Sequence, residues 1–197
     1  MQSLTRVIVS LWLWALPLLG AGGELMRNEP STPAPQLDLP DLSGRQHRLE
    51  DYRGKVVLVN FWASWCPPCL AEMPSMQRLA EKMNGRPFRI LAVNVEESKS
   101  TVWKFRKLLN VNFTTLLDGI GKVAEAWDVE LFPSSYVIDV DGRVIYRVRG
   151  ALEWDDASVI DLLEALIPAR DPAATLAQPA LVDENDRKNG PLLASSQ

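Results

Sequence analysis

The chain has 197 residues, 47% of them hydrophobic and 23% charged, with a formal net charge of −4. That composition suits one globular domain with extensions. No Lys/Arg run and neither glycine-rich phosphate-binding pattern is present, which argues against nucleic acid and nucleotides as partners. At the N-terminus, Met1–Arg6 carries one basic side chain. Val7–Leu19 is apolar apart from Ser10, and Gly20, Ala21, Gly22 and Gly23 follow. This is the pattern of an export signal, cleaved near Gly22 or Gly23 or kept as a membrane anchor. Either outcome brings residues 1–23 against a membrane and puts the remainder in an extracytoplasmic, disulfide-permissive space.

Residues 24–36, rich in Pro, Ser and Thr, read as a poorly ordered linker. Residues 37–167 read as the domain. Leu37–Leu39 and Gln46–Leu49 suggest a short hairpin. Lys55–Trp62 (KVVLVNFW) is β-branched and aromatic without alternation, as expected of a central strand buried on both faces. A helix is predicted from Cys66 to about Met83, with a kink at Pro74. Phe88–Val95 is a second buried strand. Thr101–Leu109 is a helix with Val102, Phe105 and Leu109 on one face, Phe113–Leu117 a short strand, and Lys122–Trp127 a short helix. Ser135–Asp139 and Arg143–Arg149 form a hairpin around Asp141-Gly142. Asp155–Ile167 is the last helix, capped by Asp155 or Asp156. Residues 168–197 read as a flexible tail. Strands alternate with helices and a hairpin plus helix closes the order, so the class is α/β, with a mixed sheet covered by helices on both faces.

Cys66-Pro67-Pro68-Cys69 holds the only two cysteines. They can pair with each other, bind a metal, or meet the thiols of another molecule. A helix N-terminus lowers the pKa of the Cys66 thiol, because free amides and the helix dipole favour a negative sulfur. Cys66 is therefore expected to be exposed and nucleophilic, and Cys69, on the same helix face, to be shielded and resolving. Pro67 and Pro68 lack N–H groups, so the Cys66 thiolate keeps mainly the Cys69 amide as a donor. A less stabilised thiolate means a less oxidising couple, nearer the ~−270 mV of thioredoxin than the ~−120 mV of DsbA. A closed zinc site needs about four ligands, and the only histidine is His47, to which no role is given. A two-sulfur copper(I) site is the remaining metal reading. No cofactor is expected.

The run VLVNFWASWCPPCLAEMP resembles the active-site strand and helix of thioredoxin-fold proteins, and most closely their exported TlpA/ResA-like branch. PAPQLDLPDLSGRQHRLEDYRGK resembles that branch's N-terminal hairpin, AVNVEES its next strand and turn, and LFPSSYVID its strand opened by a cis-proline. The likeness spans Pro33 to Ile167, and residues from about 98 to 117 resemble the branch's inserted helix and strand. The resemblance implies Cys66 as nucleophile, Cys69 as resolving thiol and Pro133 as the cis-proline. It implies that Phe132 offers backbone to a substrate strand, that Trp65 contacts partners and that Trp62 packs beneath the site. It also implies Glu97 as a carboxylate near the cysteines that accepts the Cys69 proton or favours its reduced form. Asn60 stands where thioredoxin has a buried acid. Glu96 is read as solvated, and Trp103, Trp127 and Trp154 as packing. The implied function is extracytoplasmic reduction of partner disulfides, in apocytochrome c or copper-site cysteines, with a membrane thiol donor supplying electrons. Three rival readings are a disulfide-donating oxidase, a peroxiredoxin-like peroxidase and a copper(I) carrier.

Overall fold

The computed structural model describes residues 22–168, so most of the expected export segment and of the expected tail lie outside the described residues. In chain order the elements are β1 (Glu24–Pro33), β2 (Asp38–Pro40), β3 (Gln46–Arg48), β4 (Val56–Trp62), α1 (Pro67–Lys82), β5 (Phe88–Val95) and α2 (Lys99–Leu108). Then come β6 (Thr114–Asp118), α3 (Lys122–Ala126), β7 (Ser134–Ile138), β8 (Arg143–Arg149) and α4 (Ala157–Ala165). No helix among the described residues is long and apolar enough to cross a membrane.

Every residue of β4 is buried, as its unbroken apolar run requires of a strand covered on both sides. It lies inside a six-stranded sheet of order β1-β8-β7-β4-β5-β6. β5 and β6 extend it in parallel, while β7, β8 and β1 continue it antiparallel. β2 and β3 pair separately, with Leu39 opposite His47. Alternation along β4 divides the core. Val56, Leu58 and Trp62 pack with Met73, Met76 and Leu79 of α1, Val102 of α2, and Val159 and Leu163 of α4. Val57, Val59 and Phe61 pack with Ala124 of α3, with Trp127, and with Leu37 and Leu39 of the small hairpin. Helices thus cover both faces, as expected.

Two differences from the sequence reading have physical causes. First, residues 24–33, expected to be linker, form β1. Glu24 pairs with Arg149 and Arg27 with Tyr146, with a register shift before Thr32. Gly23 donates its N–H to the Ala151 carbonyl, and a Cβ there would meet the Gly150 carbonyl oxygen at 2.5 Å. The segment lacks strand composition, and the open edge of β8 supplies the order. Second, α4 begins after Asp156, whose side chain makes no cap bond, while Asp155 accepts from Arg78 (2.8 Å) and Lys82 (3.3 Å) of α1. Those cations, Arg78 first, hold the Asp155 carboxyl down at about 2. As expected, α1 is one helix with Pro74 in its interior.

Candidate active site

Cys66 and Cys69 sit where β4 ends and α1 begins, and they form a disulfide with Cα atoms 5.3 Å apart. Cys66 is the N-cap of α1, with Pro67 and Pro68 in the first turn. Its sulfur accepts the Cys69 N–H at 3.3 Å, the single amide the proline pair leaves to it. The expected gradient of access is compressed. Cys69 is fully buried, but Cys66, expected to be exposed, retains only 4% of its surface, because the disulfide packs into the α1 side of the core.

The Phe132–Pro133 peptide is cis, and Pro133 directly precedes β7, whose Ser134 pairs with Phe61 of β4. The sheet therefore carries Pro133 to the end of β4 that leads into the cysteine turn. Trp65 is 67% exposed and meets the Phe132 ring edge to face, with centroids 5.6 Å apart. Trp62 lies buried in the cluster that includes both cysteines.

Glu97 is hydrogen-bonded to Ser64, two residues before Cys66. One oxygen accepts from the Ser64 amide and from Asn94 Nδ2, each at 2.7 Å, and the other from the Ser64 hydroxyl. Neither oxygen is bonded to a cysteine sulfur. The chain reaches Glu97 through Glu96, which is exposed and takes a left-handed φ of 58°.

A second carboxyl, which the sequence reading missed, is the buried Glu72. It lies one helical turn after Cys69 and is 1% exposed. Its Oε1 accepts from Asn60 Nδ2 (2.8 Å), and its Oε2 from Trp154 Nε1 (3.1 Å) and the Leu152 amide (3.2 Å). Burial pushes its carboxyl up to about 7, against these donors, Trp154 foremost, which favour the charged form. The signal was present in the sequence: Cys69, Glu72, Met76, Leu79 and Met83 follow helical spacing along the buried stripe of α1. Asn60 also donates to Ser135 Oγ at 2.9 Å, so one amide links β4, α1 and β7.

Of the tryptophans read as packing, Trp127 and Trp154 are buried, but Trp103 is 48% exposed on the outer side of α2. His47 is at hydrogen-bond distance from the Tyr52 hydroxyl (2.6 Å) and Asp41 (3.1 Å), away from the cysteines. Among the described residues no group of three or more His, Cys, Asp and Glu side chains is placed to hold a metal ion.

A dithiol pair at the N-terminus of the first core helix, on a mixed sheet with a cis-proline strand beside it, defines a thioredoxin-fold thiol–disulfide oxidoreductase. Residues 30–147 match the AhpC/TSA family. The thiol-disulfide oxidoreductase ResA of Geobacillus thermodenitrificans is 42% identical over 123 residues, which is 62% of this chain and 71% of that protein. ResA of Bacillus subtilis is 39% identical over 119 residues, 60% of this chain and 66% of that one. A thioredoxin family thiol:disulfide interchange protein from Chlorobium tepidum, 23% identical, shares the fold with a TM-score of 0.62, covering 72% of this chain and 99% of its own. The chain belongs to the AhpC/TSA family and, within the thioredoxin fold, to its ResA-like thiol–disulfide oxidoreductases.

Proposed function

We propose that this enzyme works outside the cytoplasm as a reductase of partner-protein disulfides. The Cys66 thiolate attacks one sulfur of the partner's disulfide, and the partner's other sulfur leaves as a thiolate and takes up a proton. Cys69, once deprotonated, attacks the Cys66 sulfur and releases the second partner thiolate. Two electrons have then passed to the partner, and the Cys66–Cys69 disulfide awaits reduction by a second dithiol, for which a membrane thiol donor is the family-implied source. Oxidised cysteine pairs of apocytochrome c or of copper sites are the family-implied targets. Glu72, one turn from Cys69 and titrating near neutrality, suits the proton acceptor for Cys69 better than Glu97 does. Glu97 instead acts as a positioning residue, tying Ser64, and with it the turn to Trp65 and Cys66, onto β5. Trp65, Phe132 and Pro133 form the partner-facing rim.

The observation that carries the reducing direction is the single amide donor to the Cys66 sulfur. A thiolate with few donors is less stabilised, and its couple is more reducing. Titration against dithiothreitol should give a potential toward ~−270 mV, and a value near ~−120 mV would favour the disulfide-donating reading instead. The Cys69→Ser protein should accumulate covalent mixed disulfides with its targets, identifiable by mass spectrometry. If it traps no protein while Cys66 still alkylates, the proposed attack is wrong.

A further inference from the structure

We infer that the outer face of α2 is a docking surface for an anionic lipid bilayer. Lysines scattered in the sequence come together here only through helical spacing. Lys99, Trp103, Lys104, Lys107 and Leu108 are exposed, while Val102 is buried and Phe105 and Leu109 pack against the core. Trp103 keeps 48% and Leu108 77% of their surface, two large apolar side chains set among three lysines. The Lys107 ammonium lies 4.0 Å from the Trp103 ring centroid. No acidic residue occurs from Ser98 to Leu117, in a chain whose net charge is −4. Among the described residues, none of Lys99, Lys104, Arg106 and Lys107 forms an ion pair.

Helix stability accounts for part of this pattern. Arg106 and Lys107 stand in the last turn, where the helix dipole favours cations. It does not account for Lys99, which opens the helix where the same dipole disfavours a cation, nor for exposed Trp103 and Leu108. Basic side chains interleaved with Trp and Leu are the composition of helices that lie in the headgroup layer, with ammonium groups on phosphates and apolar tips just below. The outer side of a single helix is convex, which a fluid anionic surface accommodates without a matching groove. Charge complementarity therefore favours lipid phosphate over a structured acidic protein.

The test is co-sedimentation of the full chain with vesicles of phosphatidylcholine alone or mixed with phosphatidylglycerol. The apolar N-terminal segment would bind both compositions alike, so the readout is the gain from the anionic lipid. That gain should fall about tenfold or more in a Lys99→Gln/Lys104→Gln/Lys107→Gln protein, since each cation near an anionic surface contributes about fivefold. It should also shrink from 0.05 to 0.5 M salt. Trp103→Ala should lower the part of the tryptophan quenching by brominated lipid that is gained with anionic lipid, Trp12 and Trp14 of the N-terminal segment being quenched in either composition, and exchange with dithiothreitol should stay unchanged in both variants. Equal binding to both vesicle types, or an anionic gain that survives the triple substitution, overturns the proposal. So does a loss of dithiothreitol exchange in the triple variant, since the lysines would then serve the redox site.

Discussion

Glu72 carries a chemical tension that its neighbours express. Three donors hold its carboxylate, yet it lies in an apolar layer with Met73 and Met76, and burial prevails, lifting its pKa from 4.5 to about 7. In the unfolded chain the same group titrates near 4.5. The native state thus binds more protons between these values, and stability contributed by protonated Glu72 is present below about 4.5 and lost as pH rises through about 7. Urea unfolding at pH 5 and pH 7.5 should show the wild type losing about 2 kcal/mol more than Glu72→Gln over that interval. Parallel pH curves would mean that the carboxyl does not titrate there. Glutamine is a fair probe because the Asn60 amide can turn to accept its N–H.

At the scale of elements, the legible and illegible parts separate by the origin of their order. β4, β5 and α1 were readable because their burial is written in unbroken apolar runs and helical spacing, and the cysteine turn was readable from two thiols and two prolines. The β7–β8 hairpin announced itself through Asp141-Gly142, with Gly142 at a φ of 73°. β1 was not readable, since ELMRNEPSTP has no strand pattern and is recruited by a neighbour distant in sequence. Deleting residues 1–33 would leave β8 as an edge presenting unpaired amides and carbonyls. Such a protein should associate with concentration in size-exclusion chromatography, whereas one starting at Gly22 should not. Glu72 was overlooked because the family likeness pointed to a glutamate after β5, while the helical phase of α1 buries another one turn after Cys69.

Across the whole molecule, the three parallel strands β4, β5 and β6 end toward one pole, where the cysteine turn, Glu97 and the start of α2 also lie. The sheet's antiparallel half brings Pro133 and Phe132 to the same pole from the other side. Redox turn and rim are thus held by strands whose side chains fill both cores, and each is set by register and not by loop freedom. The near-complete burial of the two cysteines, 4% of Cys66 and none of Cys69 being exposed, then has a kinetic meaning. A couple so hooded is insulated from bystander thiols, which collide from every angle and seldom find the line of attack. A client whose extended segment is steered into alignment faces no such barrier. For the reductase proposed above, that difference directs the exchange of electrons to the protein that can align with the site.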